Sequence, residues 1–356
     1  MIISKDNMGA LADAIGATQT VYVPGTERAA TRFVAHEKGE PVVLDGANVR
    51  MPPKDLLFPA TEKMYRWKKH GGQLSLETEA AAHEPFTVLG VRPCDMASVA
   101  KLDLVFLTKG FVDEFYQARR DAATFVAVTC VDPDDDCFCE AMGVRLDAAP
   151  AADVLLVDRG GAYEAKPQTE KGEAAVAAWA EALGAGADAA TGDAVEAHCT
   201  LNPAAAKAEE RLRAEDFDDV WHSVAGYCLT CGTCTFECPT CYCFDISQDV
   251  RADEGARFRC WDSCMFTQYT LMAGNHNPRA DRASRVRQRF MHKLRYFADR
   301  YGEGLCVGCG RCIRDCPAGV DIAAIIDAVA TAPEHELTEA ARTAQADEAK
   351  KEAAHV

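Results

Sequence analysis

The chain has no long hydrophobic run. Its longest apolar stretches, such as Phe125–Val128 and Ala323–Ile326, fall far short of the roughly 20 residues that a bilayer-spanning helix needs. The opening segment Met1-Ile2-Ile3-Ser4-Lys5-Asp6-Asn7 has an early acidic residue and no continuous apolar core, so no secretory leader is expected and the predicted location is cytoplasmic. Positive charge is scarce: 38 Lys and Arg stand against 55 Asp and Glu in 356 residues, a net charge of −17. Such a field disfavours nucleic acid and anionic membrane surfaces as partners. No Gly-x-Gly-x-x-Gly opens a helix after a strand, and Gly184-Ala-Gly186 lies in the wrong context. There is no Walker loop, nucleophile elbow or His-Glu zinc motif, and His198, His222, His276 and His292 stand alone. These absences leave no catalytic residue to name. Disorder is excluded too, because 48% hydrophobic and 26% charged residues are ordinary globular values.

What the chain has in excess is cysteine, 17 residues of 356. In a reducing compartment that many thiols are not kept for disulfides, so metal ligation is the expectation. Twelve of them fall within residues 216–330. Cys228-x2-Cys231-x2-Cys234-x3-Cys238-Pro239 recurs with identical spacing as Cys306-x2-Cys309-x2-Cys312-x3-Cys316-Pro317. This is the run that holds [4Fe–4S] clusters: three closely spaced thiolates wrap one cubane, and the fourth ligates the other cluster when two are present. The expected ligand sets are therefore crossed, Cys228, Cys231, Cys234 and Cys316 on one cluster and Cys306, Cys309, Cys312 and Cys238 on the other. Zinc, which thiolates also accept, usually pairs two short elements across a longer loop and does not crowd four thiols into one run. Gly232, Gly308 and Gly310 are expected to let the backbone approach the sulfurs.

The expected fold class is α+β, an N-terminal α/β domain followed by a helical ferredoxin-like domain with two [4Fe–4S] clusters. Thr20–Val23, Thr31–Ala35, Phe86–Val91, Thr124–Thr129 and Asp153–Val157 read as strands, with a hairpin at Gly160-Gly161; Met96–Leu107 and Asp113–Arg120 read as helices. The expected division is 1–171 for the α/β domain, 172–215 for an Ala-rich helical linker broken by the Gly-Ala-Gly-Ala run at 184–187, 216–330 for the dicluster domain, and 331–356 for a polar tail. Between Cys238 and Cys306 lie 67 residues, in which Asp249–Arg259, Phe266–Ala273 and Arg282–Asp299 read as helical. The stretch 279–300 holds eight Arg and Lys against Asp281 and Asp299, a local +6 that would offset cluster charge, dock an acidic partner, or simply form a solvated face.

Cys94 and Cys130 each follow a predicted strand. If those strands are parallel neighbours, both thiols lie at the carboxyl edge of one sheet, where sites in open α/β sheets form. With Cys137 and Cys139 they would hold a third cluster; otherwise Cys94 and Cys130 are small buried hydrophobes. Cys260 and Cys264 are read as one helical turn apart. With Cys241 and Cys243 they would supply a further site, protect cluster edges, or belong to the core. Cys199, alone in the Ala-rich stretch, reads as a plain thiol.

Several of these elements together resemble the iron–sulfur beta subunit of sulfhydrogenases and, equally, the corresponding iron–sulfur subunit of anaerobic sulfite reductases. They are Gly90-Val-Arg-Pro-Cys94-Asp95, Cys137-Phe-Cys139, Cys238-Pro-Thr-Cys241-x-Cys243, Trp261-Asp-Ser-Cys264, the Arg-rich stretch to His292-Lys293, and Cys306-Val-Gly-Cys-Gly-Arg-Cys312. The likeness runs from about residue 85 to 320. It implies a subunit that passes electrons between a flavin- and NAD(P)-binding partner and a catalytic partner. That partner would be a hydrogenase, a sulfite reductase or a heterodisulfide-reductase-type complex. It also raises the functional weight of Cys94, Cys130, Cys137, Cys139, Cys241, Cys243 and Cys264. The alternative is a self-contained iron–sulfur reductase with a substrate site near Cys94 and Cys130.

Overall fold

The computed structural model describes residues 1–78, 83–184 and 192–333. Residues 185–187 of the Gly-Ala run and most of the polar tail, 334–356, lie outside it. In the first half, β1 (Ile2–Ser4), β2 (Thr20–Glu27), β3 (Ala30–Ala35), β4 (Thr61–His70), β5 (Gln73–Thr78), β6 (Phe86–Val91), β7 (Ala123–Val128), β8 (Val154–Asp158) and β9 (Ala162–Pro167) alternate with helices. The second half adds β10 (Phe244–Arg251) and β11 (Glu254–Trp261).

Seven strands form one sheet in the order β1-β9-β8-β7-β6-β2-β3. Its centre, β2-β6-β7-β8, is parallel, and β3 and β9 close it antiparallel. Every residue of β6, β7 and β8 is buried. That is why these strands read as unbroken apolar runs: a parallel sheet covered on both faces has no polar side to show. Phe125 and Ala127 face one layer, with Met96, Val99 and Leu102 of the helix Pro93–Phe106. Val126 and Val128 face the other, with Leu11 of the helix Met8–Gly16 and Trp179 of the helix Glu170–Leu183. The first helix of the Ala-rich stretch is thus part of the sheet's cover.

The second half packs the helices Ala205–Ala214, Asp218–Tyr227, Arg282–Met291 and Ile322–Thr331 round Leu212, Trp221, Phe290, Ile326 and Val329. Here two expected helices fail. Asp249–Arg259 belongs to the antiparallel hairpin β10–β11, and Phe266–Ala273 contains only short 3-10 turns. Local preference is overridden because β11 pairs with β4, about 190 residues upstream, giving a four-stranded sheet β10-β11-β4-β5. Arg259 fixes the pairing: its buried guanidinium meets Glu62 of β4, at 2.6 Å from Nε, and Asp113. Cys260 therefore sits on a strand and Cys264 beyond its end, so they share no helix face. Phe244 and Trp261 carry the hairpin into the first-half core, where Trp261 Nε1 donates to the Phe58 carbonyl at 3.0 Å. Among the described residues no helix is long and apolar enough to cross a membrane.

Candidate metal centres

Each cysteine run folds as a loop closed by one helical turn, Thr233–Phe236 in the first and Arg311–Arg314 in the second. The two turns pack against each other, which brings the fourth cysteine of each run beside the other run. Cys228, Cys231, Cys234 and Cys316 wall one cavity. Cys238 in turn lies among Cys306, Cys309 and Cys312. Backbone amides of Thr230 and Val320 donate to the sulfurs of Cys228 and Cys316, at 3.4 and 3.2 Å. Among the described residues no three His, Cys, Asp or Glu side chains converge as single-ion ligands would; the thiols of the first set ring a space instead.

The Arg-rich helix explains its charge. Arg285, Arg289 and Lys293, spaced by four, are buried on one face, while Arg282, Arg287, Arg295 and Arg300 remain half-buried or exposed. A π-helical turn at His292–Tyr296 winds more residues per turn than an α-helix and helps keep Lys293 on the inner side. Burial pulls the Lys293 ammonium down, but Cys238, Cys241 and Cys306 outweigh it, and its pKa is raised. Lys293 donates to Thr240 Oγ1 at 2.7 Å, and Thr240 contacts the Cys238 sulfur. Arg289 lines the first cavity, with Cys234, Cys312, Cys241 and Cys238 around it; their charge prevails over burial and raises it as well. Its Nε is buried with no hydrogen-bond partner among the described residues. An orphaned cationic donor in a cavity walled by four thiols fits an anionic, sulfide-bearing cluster.

At the carboxyl edge of the large sheet, β6 and β7 are parallel neighbours. Cys94 follows β6 in the first turn of the helix Pro93–Phe106, and Cys130 follows β7. Cys137 and Cys139 sit on the next loop, which lies directly on the second cysteine run. Phe138 N–H donates to the Gly308 carbonyl at 2.8 Å, the Cys139 thiol points to the same carbonyl at 3.3 Å, and the Cys137 thiol to that of Cys309 at 3.6 Å. A Cβ on Gly308 would lie 2.4 Å from the Phe138 carbonyl oxygen. What this glycine accommodates is therefore a second loop as well as its own sulfurs. Asn48 bridges the two groups, donating to the Cys309 carbonyl at 2.8 Å beside Cys94.

The structure corrects the reading of Cys199, which packs into this group beside Cys94 and Cys139. Cys139 lowers the Cys199 thiol to about 6, and Cys137 first, then Cys199 and Cys94, hold Cys139 well above its usual range. Burial, reinforced by Cys94, pushes Cys130 up to about 12. Cys130 also lines an open cleft with Thr129, Glu140, Arg145, Asp147 and His198. No spacing motif marks Cys199, and its nearest cysteine in sequence is 29 residues away, so only the fold reveals its place.

Cys241 hydrogen-bonds to Cys238 and holds it well below the usual thiol range. Cys243, lowered to about 6 by a hydrogen bond with Cys264, lies between Cys264 and Tyr269. These three thiols thus border the two crossed sets. First-half residues complete the surroundings: Lys54 donates to the carbonyls of Cys238 and Cys241 at 2.9 and 3.1 Å, and Arg50 pairs with Glu237 at 2.6 Å. Arg311, wholly buried between Cys309 and Cys312, pairs with Asp95 at 2.8 Å.

A family model described as a 4Fe-4S dicluster domain matches residues 227–320. Over 320 residues the chain is 31% identical to Sulfhydrogenase 2 subunit beta of Pyrococcus furiosus, an alignment covering 87% of this chain and 92% of that protein. No solved structure matches.

Proposed function

The chain belongs to the sulfhydrogenase beta-subunit family, and from that premise we propose that it is the electron-carrying subunit of a multi-subunit redox complex. In this reading Cys228, Cys231, Cys234 and Cys316 hold one [4Fe–4S] cluster, and Cys306, Cys309, Cys312 and Cys238 a second. The thiols at the sheet edge hold a third. Electrons pass singly between a flavin- and NAD(P)-binding partner and a catalytic partner of hydrogenase, sulfite-reductase or heterodisulfide-reductase type, in an anaerobic cytoplasm. The observation that carries the reading is the crossing of two runs, which brings Cys316 to Cys228, Cys231 and Cys234 in one cavity.

When bound, each cluster supplies a one-electron couple. The chain's own residues hold and tune it. Thiolates fix its position, the amides of Thr230 and Val320 stabilise charge on sulfur, and Arg289 and Lys293 place positive charge beside both sets. Continuity supports a conduit. Cys309 lies near Cys94, Cys238 and Cys312, and Cys312 in turn lies near Cys234. The first cavity reaches the surface at Cys231, which is exposed, where a partner can take or give charge.

Anaerobic iron and acid-labile sulfide assays test the reading: about eight of each per chain accompany two cubanes and about twelve accompany three. Cys231→Ser and Cys309→Ser should each remove one cluster's EPR signal, and unchanged iron and spectra in both variants would refute the ligand sets. Arg289→Gln should make both potentials more negative by tens of millivolts, the order expected for one charge within about 10 Å at an effective permittivity of about 20. Redox titration followed by EPR measures this; a shift in neither cluster counts against the role of the helix.

The cleft beside Cys130 favours a second reading, a reductase whose substrate meets the sheet-edge thiols directly. Turnover by the isolated chain with an artificial electron donor supports it. Activity that appears only with partner subunits removes it.

A further inference from the structure

We infer that Cys199 is a ligand of the third centre, completing a set of four with Cys94, Cys137 and Cys139 and leaving Cys130 a free thiol on the cleft wall. This rests on the third-centre reading above. A cubane takes four thiolates, and five are present at this edge.

Exposure separates them. Cys199 and Cys130 both pack against the group of Cys94 and Cys139, and the thiols of Cys137 and Cys139 point at the second cysteine run, but of the five only Cys130 lines the open cleft.

Attachment is the second ground. The Cys199 backbone N–H donates to Glu140 Oε2 at 2.7 Å, and His198 Nδ1 pairs with Oε1 of the same carboxylate at 3.0 Å. Glu140 directly follows Cys139, so the loop that carries two of the thiols also grips the segment that carries another. A plain surface thiol needs no such clamp. The third ground is the surroundings: Cys199 and Ala197, like Cys130, pack against an apolar group formed by Cys94, Cys139, Leu146, Val307 and Cys309, which sets this centre beside the second cysteine run.

The test uses the full chain, isolated anaerobically with its clusters. Cys199→Ser should lower iron and sulfide from about twelve to about eight per chain and remove one EPR signal, while Cys130→Ser keeps about twelve. The unmodified protein provides a second measurement that does not depend on a variant folding. With iodoacetamide under anaerobic native conditions, Cys130, whose buried thiol ionises poorly, should react slowly and at the same rate before and after iron chelation. Cys199 should be alkylated only after it. Retention of about twelve irons in Cys199→Ser, or equally fast labelling of Cys199 in the loaded protein, overturns the assignment while leaving a third centre in place. About eight irons in the unmodified chain instead overturns the third-centre reading, and the assignment with it.

Discussion

Gly308→Ala is expected to destabilise the protein by more than about 4 kcal/mol, in the exceptional tail for a single substitution. Two effects add at this position. Its φ of +66° is costly for any residue with a Cβ, by about 1–2 kcal/mol. The new methyl group would also lie 2.4 Å from the Phe138 oxygen and 2.6 Å from the Cys139 nitrogen, both backbone atoms that cannot swing aside. Gly319 isolates the first effect: it has the same φ of +66°, but a methyl group there would meet nothing within 4 Å. Gly319→Ala should therefore cost only about 1–2 kcal/mol and keep its iron. Anaerobic thermal unfolding with iron analysis compares the pair. Equal stability would show that the 136–139 loop does not lie against the second cysteine run.

Asp95→Ala should cost about 3–5 kcal/mol, because it leaves the Arg311 guanidinium buried without its counter-charge. Neither partner touches solvent appreciably, at 0% and 1% side-chain exposure, and their ion pair measures 2.8 Å. Asp95 also accepts from the Arg92 amide at 3.2 Å, which caps the helix that carries Cys94. The double variant Asp95→Ala/Arg311→Met should recover most of the charge penalty but not the cap, worth about 1 kcal/mol. Chemical unfolding of the loaded proteins measures both. A double variant no more stable than Asp95→Ala would show that the unpaired cation is not the cause.

The central strands were legible because full burial writes itself as consecutive apolar residues, as in Phe125–Val128. The two cysteine runs were legible because their thiols lie within short, regular spacings. The β10–β11 hairpin was not, since its pairing partner is Thr61–His70 and its composition is that of a polar helix. Cys199 was hidden for a similar reason: its neighbours come from other segments, to which packing and a carboxylate clamp from Glu140 tie it. Lys54, Arg50 and Asp95 likewise announce nothing locally, because their roles are set by carbonyls and charges contributed by the other half of the chain. The inward stripe Arg285, Arg289 and Lys293 was half visible. Spacing by four marked one helix face, but nothing local said which way it turned.

The exchange of fourth cysteines has a consequence in time. During synthesis from the N-terminus, Cys228, Cys231 and Cys234 emerge long before Cys316, which supplies the remaining wall of their cavity. Cys238 must likewise wait for the Cys306–Cys312 loop, which itself rests on Phe138 and Asp95. Neither pocket can be finished before the segment that carries Cys316 has left the ribosome.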